Sequence, residues 1–178
     1  MLYFFSFLDR EFSSLSQQWN ISSPQHIDGY SLSRLFPADF FDFGFAVTRE
    51  PAVRFLSAFK FQIFEKRIAQ NQDISSFIKN ELRKLPNQLG EFDNHFLPQT
   101  KLLIPDMEYQ IFKLENGLDN VKQFIDSRLL EANTKENIQR HNIEPSMESL
   151  NPTQFTIDKE AMDIIREVYR EDFSMLQY

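Results

Sequence analysis

A strand that runs into a turn and then a helix constrains the fold more than any other stretch of this chain. Residues 43–48, FGFAVT, are an apolar run too short for a helix and bounded by turn signals, which favours a buried strand. A helix is predicted over 51–70, because apolar side chains recur there at helical spacing and Pro51 suits a first helical turn. Arg49 therefore lies between them, at the carboxyl end of the strand.

Periodicity predicts five further helices and one further strand. The helices are predicted over 1–18, 31–36, 74–85, 117–130 and 158–176, and the strand over 108–114. The segments 86–107 and 131–153 show no periodicity, and the second reads as a mobile surface segment. Strands separated by helices indicate an α/β fold with a parallel sheet, and 178 residues suit one domain spanning 1–178.

Composition excludes several classes of function. The net charge of −7 argues against general nucleic-acid binding, which needs a basic face. With no cysteine, the chain has no disulfide, thiolate metal site or cysteine nucleophile. No apolar run approaches the roughly 20 residues that span a bilayer. These features favour a bacterial-type cytoplasmic protein, with a membrane-associated or Golgi-lumen location as the alternative.

Arg49 and Ser57 are candidates for holding an anion. Arginine suits bidentate contact to phosphate or sulfate, and ligands of open α/β sheets bind at the carboxyl ends of strands. Ser57 lies on the following helix, where its hydroxyl could reach the same anion. The residues alone also allow a plainer interpretation, in which Arg49 pairs with a carboxylate such as Glu50 and Ser57 is a small packing residue.

The turn and helix carry a recognisable pattern: an apolar strand, then Arg49, Glu50 and Pro51, then Arg54, then Ser57 eight residues after the first arginine. This pattern resembles the 3'-phosphate-binding segment of sulfotransferases that use 3'-phosphoadenosine-5'-phosphosulfate. That family usually has Asp or Asn where this chain has Glu50.

Three later segments resemble the carbohydrate-type branch of the same family. His95, Pro98 and Gln99 match its His-x-x-Pro-Gln signature. The stretch YQIFKLENGLDN is similar to a strand that ends in Leu-Glu before a helix. The closing VYREDFSMLQY is similar to the family's Tyr-x-x-Asp-Phe helix, here with Tyr169 and Asp172.

The resemblance implies a P-loop-like three-layer domain, in which a parallel sheet is flanked by helices. It implies a small-molecule nucleotide, 3'-phosphoadenosine-5'-phosphosulfate, as sulfuryl donor, and a hydroxyl of a carbohydrate as acceptor. Arg49 and Ser57 would hold the 3'-phosphate. The segment 131–153 would cover the nucleotide, with Arg140 and His141 as contacts within it.

The family also carries an N-terminal strand followed by a Pro-Lys-x-x-x-Thr-like loop that cradles the 5'-phosphosulfate. No such loop is found here, since the first lysine is Lys60 and the first glycine is Gly29. The first strand is expected to be missing, and this polypeptide alone is expected to be inactive or nearly so. The alternative is a non-catalytic remnant that binds a nucleotide or a partner protein. A P-loop phosphotransferase would need a Gly-Lys-Ser/Thr loop, which the chain lacks.

Histidine is the usual general base near neutral pH, and two of the three histidines are candidates. His26 precedes the helix that leads to the phosphate strand, where the family has a candidate base; a locally hydrogen-bonded histidine is the equal alternative. His95 and Gln99 are candidates for contacting substrate or positioning other residues. Glu115 is expected to fix the turn after the second strand. No metal site is predicted.

Overall fold

The computed structural model describes residues 22–128 and 152–178. The helix predicted over 1–18 lies outside these ranges. So do all but the last two residues of the cover segment predicted over 131–153, together with Arg140 and His141 within it.

The described residues contain a two-stranded parallel sheet. Strand β1 (Phe45–Thr48) pairs with strand β2 (Gln110–Lys113) in a register that sets Thr48 opposite Lys113. The predicted parallel sheet of an α/β fold is therefore confirmed. Because the strands are parallel, the segments that leave their carboxyl ends emerge side by side at one edge of the sheet.

The described ranges contain six α-helices. They are α1 (Gly29–Leu35), α2 (Pro51–Phe64), α3 (Ile74–Phe77), α4 (Asp119–Arg128), α5 (Lys159–Val168) and α6 (Arg170–Met175). A π-helical turn, Ile78–Leu82, continues α3. Short 3-10 turns connect the rest; two of them, Glu91–Asn94 and Gln99–Leu102, lie in the segment predicted to lack periodicity.

Aspartates start three of the helices. Each accepts a hydrogen bond from the backbone N–H three residues later, which satisfies one of the free donors of a first helical turn. The pairs are Asp28 with Ser31, Asp73 with Ser76, and Asp158 with Ala161. The predicted cap at Asp73 is confirmed, and Glu50 caps α2 in the same way through Val53 N–H.

Two of the differences from the predicted helices have a clear cause in the backbone. Helix α2 ends at Phe64 rather than near residue 70, because Lys66 adopts a left-handed φ of 59° and the next two N–H groups turn back to Gln62 O. The closing helix, predicted as one piece, breaks at Tyr169, whose ψ is 26°. This break turns the start of α6 toward the segment around Gln99.

A phenylalanine-rich core fixes α2 against the rest of the chain. Phe55 and Phe59 are fully buried. The ring centroid of Phe55 lies 5.1 Å from that of Phe96, and the ring centroid of Phe59 lies 5.2 Å from that of Phe77. Tyr169 enters the same core, and its hydroxyl donates to Phe96 O at 2.8 Å. The core thereby ties α2, the segment 91–102 and the closing helices together, and these are the elements that carry the site.

Gly29 allows the start of α1 to lie against the backbone of another segment. A Cβ at this position would sit 1.7 Å from Leu103 O, a distance no side chain tolerates. Glycine is thus required for close packing of α1 on the segment after Gln99. This packing holds the turn that carries His26 beside the turn that carries His95.

Candidate functional site

The turn after β1 places Arg49 at the carboxyl edge of the sheet, and two side chains hold its backbone. Gln99 Oε1 accepts from Arg49 N–H at 2.9 Å, and Gln99 Nε2 donates to Arg49 O at 2.8 Å. Glu115, which follows β2, accepts from Glu50 N–H at 2.8 Å. The backbone of the Arg49–Glu50 turn is therefore fixed from both sides, which leaves only the arginine side chain to move.

Gln99 is itself held by a buried carboxylate in the closing helix. Asp172 has no exposed surface, and one of its oxygens accepts from Gln99 N–H at 2.8 Å. Its other oxygen accepts from the backbone N–H and the hydroxyl of Thr100, both at 2.9 Å. A chain of hydrogen bonds thus runs from α6 through Gln99 to Arg49.

The guanidinium of Arg49 makes no hydrogen bond to any residue that the structure describes, and the hydroxyl of Ser57 makes none within the same ranges. Both side chains are partly exposed. Glu115 is the carboxylate on which the charge of Arg49 acts. Burial alone would raise the pKa of Glu115, but its hydrogen bonds and this charge lower it. Both groups predicted to hold an anion therefore keep their donors available.

Arg54, the second arginine of the motif, has a different position. Its Nη1 donates to Leu97 O at 2.9 Å, and burial lowers its pKa against the opposing effects of Tyr169 and Asp172. Arg54 thus links α2 to the segment that precedes Gln99. Of the two arginines in the motif, Arg49 is the one whose guanidinium makes no hydrogen bond to the described residues.

Tyr178 closes the carboxyl edge of the sheet. Its hydroxyl lies 3.1 Å from Thr48 Oγ1, at the end of β1, and donates to Glu115 Oε2 at 3.3 Å. The ammonium of Lys113 lies 4.5 Å from the centroid of the Tyr178 ring. The closing segment therefore braces the ends of both strands next to the Arg49 turn.

A second group of polar side chains surrounds His26. Its Nδ1 lies 2.8 Å from Asp93 Oδ2, and the hydroxyl of Ser23 donates to the same oxygen at 2.8 Å. A carboxylate oxygen only accepts, so Nδ1 of His26 carries a proton and Nε2 has the free lone pair. An Asp–His pair of this kind orients an imidazole to act as a general base.

His95, the second candidate histidine, lies against His26. The two rings are 4.3 Å apart between centroids, in an edge-to-face arrangement. Gln62, a fully buried glutamine of α2, places its Nε2 2.8 Å from Nδ1 of His95. The structure thus brings two of the predicted residues, His26 and His95, into one cluster, and two others, Arg49 and Gln99, into another.

An unusual backbone turn presents Asp93 to His26. Phe92, Asp93 and Asn94 have φ values of 49°, 54° and 60°, all in the left-handed region that side chains disfavour. Asn94 holds this turn in place, since its amide donates to His26 O at 2.7 Å and accepts from Gly90 N–H at 2.8 Å. Three consecutive residues in this conformation are costly, and such strain is typical of functional segments.

His26, Asp93 and His95 also form the group that could hold a metal ion, as each offers a ligand atom within 4.8 Å of the others. The hydrogen bonds favour a different use. Nδ1 of His26 is engaged by Asp93, and Nδ1 of His95 accepts from Gln62, which puts the proton of His95 on Nε2. With its proton on Nε2, His95 has no free lone pair to give to a metal, while His26 keeps one on Nε2, so the cluster is suited to moving a proton.

Three residues of the site, Asp93, Asn94 and Gln62, were missed from the sequence, and so was the role of Asp172. Gln62 carried a usable signal, because it interrupts the apolar face of α2 where only hydrophobic residues are expected. Asp93 lies two residues before a predicted site histidine, but nothing local indicated that it faces His26.

The helices within residues 22–128 and 152–178 include none with the length and hydrophobicity that a membrane span requires.

We predict that Asp172→Ala lowers the free energy of unfolding by about 2–5 kcal/mol, because buried N–H groups at Gln99 and Thr100 lose their acceptor. Urea denaturation measures this loss. Glu171→Ala is the matched control, since the adjacent carboxylate is exposed and lies 3.9 Å from Lys101. Equal effects of the two substitutions would contradict the importance of the buried carboxylate.

Stability should also fall on acidification. Burial, the charge of His26, and the charges of Arg54 and Arg67 lower the pKa of His95 to about 3, while Asp93 opposes them. Between this value and the unfolded pKa of about 6.5, only the unfolded chain binds the proton, so stability rises with pH by at most about 1.4 kcal/mol per pH unit. Hydrogen bonds with His26 and Ser23 outweigh burial and lower the pKa of Asp93 to about 2, which adds a loss only below about pH 4.

Denaturation at pH 4, 5 and 6.5 tests this prediction. His95→Gln should flatten the dependence between pH 6.5 and 4, because the group that takes up the proton in the unfolded chain is gone. An unchanged slope in this variant would show that His95 is not the group responsible.

Comparison with known proteins identifies the family of the chain. No curated protein and no solved structure matches the chain significantly. The sulfotransferase family does match it, over residues 6–178. Since this match covers nearly the whole sequence, the chain belongs to the sulfotransferase family.

Proposed function

We propose that this protein is a sulfotransferase that transfers a sulfuryl group from 3'-phosphoadenosine-5'-phosphosulfate to a hydroxyl group of a carbohydrate, at a very low rate in this polypeptide alone because its sequence shows no loop for the 5'-phosphosulfate. The observation that carries the proposal is the Arg49 turn, whose backbone is held by Gln99 and Glu115 while its guanidinium has no partner among the described residues. A fixed arginine with free donors, at the carboxyl end of a parallel strand, suits a phosphate of a bound nucleotide. The expected fold is the P-loop-like three-layer domain, of which these strands and helices are part.

Arg49 and Ser57 are the residues proposed to hold the 3'-phosphate. The guanidinium offers a planar pair of donors, and the hydroxyl of Ser57 offers a third from α2. Each charge-assisted contact would be worth about 1.5–3 kcal/mol. When bound, this donor supplies the sulfuryl group, whose bond to the 5'-phosphate oxygen breaks as the acceptor oxygen bonds to sulfur.

His26 is the proposed general base. Its Nδ1–H points to Asp93, so Nε2 can take the proton of the acceptor hydroxyl, and Asp93 then stabilises the imidazolium. Ser23 supports the carboxylate by donating to the same oxygen. The base is thus oriented before the acceptor arrives, which avoids reorganisation during the reaction.

Calorimetric titration with two nucleotides tests the phosphate assignment. Arg49→Ala should weaken adenosine 3',5'-bisphosphate by about 10–100-fold, because one charge-assisted contact is lost. The same variant should bind adenosine 5'-monophosphate as the wild type does, since that nucleotide lacks the 3'-phosphate. Arg166→Ala is the control, as this exposed arginine forms a surface ion pair with Asp163, at 3.5 Å. Equal losses for both nucleotides would overturn the assignment of Arg49 to the 3'-phosphate.

A single-turnover assay with protein in excess over labelled donor tests the base, because it detects slow transfer. His26→Gln should lower the transfer rate by about 10²–10⁴-fold, the usual contribution of a general base. Affinity for adenosine 3',5'-bisphosphate should not change. If the variant transfers sulfate at the wild-type rate, His26 is not the base.

A further inference from the structure

The two neighbouring histidines, His26 and His95, carry their proton on opposite ring nitrogens, because a different partner sets the position in each ring. Gln62 Nε2 lies 3.3 Å from Phe92 O, which is only an acceptor, so this end of the amide is the nitrogen. The same nitrogen lies 2.8 Å from Nδ1 of His95 and donates to it. In a neutral imidazole one nitrogen accepts and the other carries the proton, so Nε2 of His95 is an N–H donor.

His26 has the reverse arrangement. The carboxylate of Asp93 takes the proton on Nδ1, and Nε2 of His26 is left as an acceptor. The two rings lie in edge-to-face contact, and His26, Asp93 and His95 each offer an atom within 4.8 Å of the other two. The ring that carries the basic nitrogen and the ring that carries the N–H donor are therefore direct neighbours.

We infer that His95 is an acceptor-recognition residue, and that the histidine pair selects a sugar with two adjacent hydroxyl groups. The hydroxyl to be sulfated donates its proton to Nε2 of His26, while the oxygen of the neighbouring hydroxyl accepts from Nε2–H of His95. This inference rests on the proposed function, since it names the class of acceptor for the same site. An alcohol with a single hydroxyl would leave the His95 donor without a partner.

Burial supports this assignment, since it keeps His95 neutral at working pH. The lowered pKa of His95, near 3, follows from burial and from the charges of His26, Arg54 and Arg67, with Asp93 opposing. A neutral N–H suits a hydroxyl oxygen, whereas a cationic histidine would favour an anionic group. The site is therefore suited to bind an uncharged part of its acceptor.

An exposed aromatic ring next to His95 fits a sugar. Phe61 of α2 is 44% exposed, and its ring centroid lies 4.9 Å from that of His95. Sugars carry hydroxyls at the ring edge and C–H groups on the ring face, so they need a few placed polar groups beside an apolar surface. Phe61 provides that surface directly beside the polar pair.

Nitrogen NMR of protein labelled in the imidazole rings measures the proton positions without any ligand. From pH 5 to 8, His95 should show a protonated Nε2 and a bare Nδ1, without titrating, and His26→Gln assigns the signals. Neutral His26 should show the opposite pattern. A proton on Nδ1 of His95, or titration of His95 near pH 6.5, would overturn the inference.

Ligand-observed NMR titration with methyl β-glucoside, methyl β-galactoside and their deoxy analogues then tests the diol. The experiment uses protein saturated with adenosine 3',5'-bisphosphate. Removing one hydroxyl of the recognised pair should weaken binding at least about tenfold, because the His95 donor is left unpaired. In His95→Phe, which keeps a ring but no donor, parent and deoxy sugars should bind alike. Equal binding of parent and deoxy sugars by the wild type would overturn the inference.

Phe61→Ala should weaken the parent glycosides, and Phe64→Ala, which removes another exposed ring of α2, should not. Loss of equal size in both variants would contradict the role of Phe61. If the nucleotide binds through Arg49 but no glycoside binds, the diol inference fails and the proposed function stands. If the nucleotide does not bind through Arg49, the proposed function fails whatever the NMR of His95 shows.

Discussion

The buried carboxylate of Asp172 is the interaction on which the site depends. It takes two backbone N–H groups and a hydroxyl from the segment at Gln99, in a place that water does not reach. Charge-assisted hydrogen bonds of this kind are strong because few competing partners exist in the interior. Gln99 can brace the Arg49 backbone only because its own position is determined by this carboxylate.

Helix α2 connects the nucleotide side of the proposed site to the acceptor side. Ser57 and Phe61 lie one turn apart on the helix, about 6 Å along its axis, and so share a face. Arg49 leads into the same helix, and its buried Gln62 sets the tautomer of His95. The phenylalanine core that holds α2 therefore fixes the spacing between the arginine and the histidine pair.

Local structure could be predicted from the sequence, but hydrogen bonds between distant residues could not. The position of Arg49 after a strand, the parallel sheet and the cap at Asp73 follow from periodicity and from the preferences of a few residue types. The clamp of Gln99 on Arg49 joins residues 50 apart, and the contact of Gln99 with Asp172 joins residues 73 apart. No local pattern encodes such contacts, because they depend on how the helices pack. The early end of α2 was missed for a related reason, since tertiary contacts override helix propensity.

The left-handed turn at residues 92–94 limits which side chains evolution can place beside His26. Aspartate and asparagine tolerate this backbone region better than other side chains with a Cβ, and of the two only aspartate brings a negative charge. Glutamate has the charge but not the conformational tolerance. Position 93 thus has a steric and an electrostatic requirement at once. Replacing aspartate there would disturb either the left-handed turn or the polarisation of His26.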